Sequence, residues 1–457
     1  VDRTLDVDYL VIGAGAAGMA FTDALIDHAD VRVALADRRD GPGGHWRRAY
    51  PFVRLHQASS FYGVASTVLG GGRVQQDGPE AGLHERADQP TILAYYEDVL
   101  AERMTGPGRV ELLPGCDVEG RVVVDRTTGE RWSVPERCRV VDARYLAPEI
   151  PAETPPRFHV GEGVRVVPVN DLEQVQDAGQ VVVVGSGKTA TDAVVRLLAR
   201  GTDPDAICWV RPREPWMLNR AVVQPDPEVY LGMVAEMMRL SSTAASLPDL
   251  FVDLEGAGIM LRIDPAVTPT MAKAPTLGAW ELAELRRVEH VVRLGHVTAA
   301  LPGRLELDGG SVDLAPDAVV LNCAADGLKN RPLLPVWGDD AITLQPVRAG
   351  FPCFGAALIG YVEATRDDDE EKNRLCPPSS LGNTLEDWAR MNVTGLRSAA
   401  AFAAAPDVKQ WADRVALNPA RVAPDHPGSP GLDEARAALA RYVPAGVARL
   451  AELAGPA

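Results

Sequence analysis

Paired cysteines, lysine and long apolar runs are all scarce in this chain, and each scarcity removes a class of protein. The six cysteines (Cys116, Cys138, Cys208, Cys323, Cys353 and Cys376) form no C-x-x-C or C-x4-C pair. That argues against a zinc site, a dithiol redox pair and a disulfide framework, and no metal site is expected. No run approaches the ~18 apolar residues of a membrane span, and no basic segment leads into an apolar stretch near the start. A cytoplasmic protein without a membrane partner is the expectation. Basic residues are nearly all arginine, and the formal net charge of −17 argues against nucleic acid or an anionic membrane as the main partner. No acid–base triad stands out in the sequence. With 46% hydrophobic and 24% charged residues over 457 positions, the chain has enough core for about two to three soluble domains.

Glycine is well supplied, and its placement carries the reading. Tyr9-Leu10-Val11-Ile12 is an apolar strand, and Gly13-Ala14-Gly15-Ala16-Ala17-Gly18 follows as a G-x-G-x-x-G turn opening a helix. Gly13 suits the tight turn, Gly15 the approach of a pyrophosphate, and Gly18 the packing of helix on strand. The N–H groups at Ala16 and Ala17, with the helix dipole, favour a phosphate there. A second strand, 31–36, ends at Asp37, near the ~20-residue offset at which an acid takes ribose hydroxyls, and Arg38 follows it. The pattern recurs. Val181–Val184 leads into Gly185-Ser186-Gly187-Lys188-Thr189-Ala190, and the strand after the helix, Ile207–Val210, ends in Arg211-Pro212-Arg213. Free ribose hydroxyls suit the acid, and a 2′-phosphate suits the arginines. The first site is therefore expected to take a ribose without phosphate, and the second NADP(H).

Between the turns, Gly43-Gly44-His45-Trp46 either wraps a cofactor or is an ordinary glycine turn with a packed tryptophan; the spacing alone does not choose. The segment 91–104 reads as an amphipathic helix, 110–146 as a small meander of strands, and the prolines at 148–156 as a linker. The region 222–265 reads as mainly helical, with Met233, Met237 and Met238 in its core. Short strands follow over 291–323, then a helix at 385–404 and a last one at 432–442.

Two dinucleotide turns of different ribose chemistry, Gly43-Gly44-x-Trp46, Gly185-x-Gly187-x-x-Ala190-x-Asp192-x-Ala193 and Arg213-x-Pro215-Trp216 together resemble the two-dinucleotide-binding-domain flavoproteins. Within them the chain is similar to the flavin-containing and Baeyer–Villiger monooxygenases. The likeness covers about the first half of the chain. Where that family usually has Ala-Thr-Gly, this chain has Cys323-Ala324-Ala325-Asp326-Gly327. The family's F-x-G-x-x-x-H motif gives way to Phe158-His159-Val160-Gly161 with no histidine at the expected place.

The resemblance implies an α/β fold of two Rossmann-like domains plus C-terminal helices. The FAD-binding domain would be discontinuous (1–155 and 300–457), with the NADP-binding domain (170–300) inserted and a helical insertion at about 222–290. It implies FAD at Gly13, Gly15, Ala16, Ala17, Gly18, Asp37, Arg38, Gly44, His45 and Trp46. NADPH would sit at Gly185, Ser186, Gly187, Lys188, Thr189, Ala190, Arg211 and Arg213. His56 and Gln57 fall where the family has a polar side chain near the flavin ring. The implied reaction is monooxygenation of a small amine, thioether or ketone by molecular oxygen through a C4a-(hydro)peroxyflavin. An NADPH oxidase or NADPH:acceptor oxidoreductase is the alternative, and a non-catalytic dinucleotide-binding protein a third. A substrate pocket is expected between the lobes, near Thr268-Pro269-Thr270, Lys273 and Trp280. A homodimer is left open.

Overall fold

Two five-stranded parallel sheets carry the two glycine turns in this computed structural model, which describes residues 3–455 apart from 177, 326–331, 349 and 380. The first sheet is built from β1 (Tyr9–Ile12), followed by α1 (Ala16–His28), and from β2 (Val33–Asp37), β3 (Val110–Pro114) and β4 (Arg139–Asp142). The second uses β5 (Val166–Pro168), β6 (Val181–Val184), followed by α3 (Lys188–Ala199), β7 (Ile207–Val210), β8 (Val291–Val292) and β9 (Val319–Asn322). Gln89–Val99 is α2, and β10 (Ile342–Thr343) closes the first sheet. The strand orders are β10-β4-β1-β2-β3 and β5-β9-β6-β7-β8. In each sheet the central strand leads into the glycine turn, with the next strand in sequence at its side, Leu10 beside Ala34 and Val182 beside Cys208. Parallel strands are covered on both faces, which is why β6 reads as four consecutive valines, all buried.

The first sheet is discontinuous, as the sequence predicts, because β10 returns to it after the second sheet is complete. The limits differ from those read off the sequence. β5 begins before residue 170, and β9, placed by the sequence in the first domain's 300–457 segment, pairs with β6 in the second sheet. A buried apolar run reveals a strand without revealing which sheet it joins.

The region 222–290 divides into helix and sheet. α4 (Pro227–Thr243) and α5 (Leu247–Gly256) begin on caps from Asp226 and Ser246 with proline in the first turn; Met260–Arg262 and Met271–Leu277 then flank Pro215–Asn219 in a three-stranded sheet, and α6 (Ala279–Leu285) follows. The meander of 110–146 also divides: β3 and β4 join the first parallel sheet, and the strands between them form a four-stranded sheet with Arg3–Thr4. The helix expected at 91–104 is α2, continued by a π-helical turn at Leu100–Thr105.

Of the C-terminal helices, α7 (Pro352–Thr365) packs on α1, α8 (Leu385–Ala403) follows, and α9 (Pro430–Ala454) lies along α4. α9 runs on through Pro444, well past the 432–442 read from the sequence. α1, α4, α5, α7 and α8 share one large hydrophobic core, and the second parallel sheet has cores of its own on either face. All six cysteines are buried and free. No described helix is long and apolar enough to cross a membrane.

Candidate functional site

The two turns repeat one another in geometry. Gly13 and Gly185 have φ of +112° and +136°, in the region that favours glycine. A Cβ on Gly18 would lie 1.8 Å from the Gly13 carbonyl oxygen, so only glycine lets α1 close on its strand. Neither α1 nor α3 has a side-chain N-cap. Their first internal bonds run from Met19 N to Gly15 O and from Thr191 N to Gly187 O, which leaves the N–H groups before them directed out of the helix end. A Cβ on Gly187 would meet nothing within 4 Å, so there is open space in front of α3. Each helix end can cradle an anion.

Asp37 is buried at the end of β2. Its Oδ2 accepts from Ala14 N at 2.6 Å and its Oδ1 from Arg39 N at 2.8 Å. One lone pair per oxygen is thus fixed by the backbone, leaving acceptor capacity for hydroxyl donors. The Gly43-Gly44 loop folds onto the first turn: Gly43 N donates to Ala14 O at 2.8 Å, and a Cβ on Gly44 would meet Gly15 Cα at 2.8 Å. A Cβ on Gly15 would only touch the same loop, 3.5 Å from Gly44 Cα. Trp46 is buried with its Nε1 donating to the Tyr62 hydroxyl at 2.6 Å, in a T-shaped contact. His45 lies against Trp46, and burial pulls its pKa down to about 4. Arg38 borders an arginine-rich cleft of about 980 Å³ with Arg39, Arg47, Arg48 and Arg126. Most of that charge is answered within the cleft, as where Arg39 grips Glu153 with two hydrogen bonds of 2.7 and 2.9 Å.

At the second turn the two arginines part company. Arg211 is 2% exposed and lies over the Trp209 ring, its Nε 3.2 Å from Glu214 Oε1 but without hydrogen-bond geometry. Burial lowers its pKa to about 10. Arg213 is exposed. Ser186 is buried, and Lys188 turns inward to pair with Asp192 and, at 3.4 Å, with Glu281.

Lys188 thereby joins a buried polar knot between the lobes that no local pattern announces. Arg220 is 1% exposed and spends its donors on both sides. Nη1 pairs with Glu80, Nη2 donates to Glu281 Oε2 at 2.6 Å, and Nε donates to the His56 carbonyl at 2.7 Å. Glu80 also receives Arg86 through two bonds of 2.9 Å and Trp280 Nε1 at 3.0 Å. Tyr50 crosses to α3, donating to Asp192 Oδ2 at 2.7 Å. His56 Nδ1 accepts from Thr276 N at 3.2 Å. Burial, then the charges of Lys188, Arg220 and Arg86, push its pKa down to about 3, so the imidazole is neutral at physiological pH. His56 and Gln57, adjacent in sequence, thus serve different surroundings: the histidine holds the knot, and Gln57 lines a cavity under α4 and α8. Lys273 borders that cavity and Trp280 belongs to the knot, so the predicted pocket region divides between the two. Asp326 and Gly327 lie outside the described residues.

Two Rossmann-type units in one chain, with an acid ending one ribose strand and arginines ending the other, define a protein with two dinucleotide-binding folds. The chain belongs to the family of the uncharacterized protein Rv2000 of Mycobacterium tuberculosis, to which it is 40% identical over 419 residues, spanning 91% of this chain and 78% of that one. Residues 11–58 match the family model described as an NAD(P)-binding Rossmann-like domain. Among solved structures, a steroid monooxygenase bound to NADP is similar at 17% identity and a TM-score of 0.49, over 78% of this chain and 84% of that one. An open crystal structure of cyclohexanone monooxygenase is similar at 18% identity and a TM-score of 0.47, over 79% and 88%.

Proposed function

We propose that the chain is a FAD-dependent, NADPH-consuming monooxygenase of a small organic molecule. One observation carries the reading: two uncapped helix ends, one behind a carboxylate-ended strand and the other behind an arginine-ended strand, lie in lobes tied together by a buried knot. The motif resemblance supports flavin at the first end. Ala16 and Ala17 would hold its pyrophosphate and Asp37 its ribose, with the Gly43-Gly44 loop closing over the turn. At the second end, Gly187, Thr189 and Ala190 would hold the NADPH pyrophosphate and Arg213 the 2′-phosphate. Bound flavin supplies hydride acceptance from NADPH and the activation of oxygen. His56 stays neutral and accepts a backbone hydrogen bond, so it orients the joint between the lobes without acting as an acid. Lys188 is held by two carboxylates and contributes to that joint, leaving the backbone to meet the phosphates.

The test is optical first and chemical second. Purified protein is expected to be yellow and to release FAD on heating. It is then expected to consume NADPH and oxygen with an oxygenated product from a thioether, amine or ketone. Stoichiometric peroxide with no product across that panel would assign an NADPH oxidase instead. Colourless protein that cannot be reconstituted with FAD would leave a nucleotide-binding protein without turnover.

A further inference from the structure

Beneath α4 and α8 lies a cavity of about 90 Å³, walled by Tyr230, Met233, Met237, Phe351, Trp388 and Met391. Two of its lining residues are cations, Arg348 and Lys273, and its described lining contains no aspartate or glutamate. In a chain of net charge −17 that is a marked local reversal.

Arg348 is 7% exposed, yet its donors are barely used. Nε is buried with no hydrogen-bond partner, and Nη1 reaches only the Gly395 carbonyl, at 3.5 Å. The guanidinium faces the Tyr230 hydroxyl. The other buried arginines among the described residues differ: Arg220 has two carboxylates, and Arg211 has Glu214 beside it. A buried cation without an anion is costly, and a ligand can supply the missing charge. The guanidinium fork matches a planar carboxylate, and the methionines can repack around an apolar body of varied shape. Gln57, next in sequence to the His56 of the knot, lines the same cavity and links it to the joint between the two cofactor sites.

We propose that this cavity binds a short-chain organic acid, its carboxylate on Arg348 and its apolar part among Met233, Met237 and Met391. That the acid is the molecule oxidised rests on the monooxygenase reading; that the cavity selects an acid does not.

The two are separated by measuring binding as heat. Full-length protein, as purified, is titrated calorimetrically with 3-(methylthio)propanoate and with 3-(methylthio)propanamide, matched in shape but not in charge. The acid is expected to bind at least about tenfold more tightly. Arg348→Met is expected to erase that preference while amide binding persists, and Arg348→Lys to restore part of it. Equal affinities in the wild type, or no binding of the acid, would overturn the proposal without any variant having to fold. A preference that survives Arg348→Met and is lost in Lys273→Met would overturn it too, moving the anion to the other cation. If the preference is found in a protein that binds no FAD, the cavity assignment stands and the monooxygenase reading fails.

Discussion

Arg211 and Arg213 show how much a two-residue step decides. Both follow β7 where a 2′-phosphate reader belongs, but the first is packed over Trp209 beside Glu214 and the second is exposed. On the proposed reading, the phosphate contact would therefore fall to Arg213. Arg213→Ala is expected to raise KM for NADPH by an amount equivalent to ~1–3 kcal/mol, with little change for NADH. Arg211→Ala is expected instead to lower the melting temperature with both coenzymes affected alike, because it removes a buried stacked side chain. Steady-state kinetics with each coenzyme and a thermal melt check both halves. An NADPH-selective loss in Arg211→Ala alone would reverse the assignment.

At the scale of elements, the packing of α7 under α1 positions the first turn. A Cβ on Gly360 would lie 2.4 Å from the Phe21 carbonyl oxygen and 3.1 Å from the Ala24 Cβ, so the two helices cross with glycine at the contact. Gly360→Val is expected to cost ~1–3 kcal/mol of stability and to loosen α1, whose first turn is the proposed flavin cradle. The check is a denaturant titration together with the fraction of FAD retained; unchanged stability with full retention would remove α7 from that role. The sequence made both glycine turns legible because a fully buried parallel strand is a plain apolar run and a G-x-G turn follows it directly. It did not reveal that Val319–Asn322 joins the second sheet, since the run itself is the same for either. Nor did it show that α9 would pass Pro444 along α4, a case of tertiary packing overriding a local stop signal. Glu80, Arg86, Arg220, Glu281 and Arg348 were not legible at all. Their partners lie far away in sequence, as with the 140 positions separating Arg220 from Glu80, and no short-range periodicity encodes such a pair.

For the whole molecule, the knot between the lobes makes stability depend on acid in a definite direction. Burial alone would raise the Glu80 carboxyl, but Arg86 and Arg220 outweigh it and hold it at about 2, below the ordinary 4.5. Burial, joined by the surrounding cations, takes His56 from 6.5 down to about 3. Both groups bind protons more readily in the unfolded chain than in the folded one. Their contribution is therefore complete above about 6.5, begins to fall as the unfolded histidine protonates, and falls faster below 4.5 until the folded values of about 3 and about 2 are passed. These groups give no slope between neutral and mildly alkaline pH. Glu80→Gln leaves Arg220 and Arg86 with a weaker partner and is expected to cost ~3 kcal/mol at pH 7. Because the wild-type carboxylate is itself lost in acid, the two proteins should converge as the pH approaches 2. Denaturant unfolding across that range, wild type against Glu80→Gln, measures the convergence. A deficit as large in strong acid as at neutrality would mean that Glu80 contributes by its packing, and that its charge does not hold the lobes together.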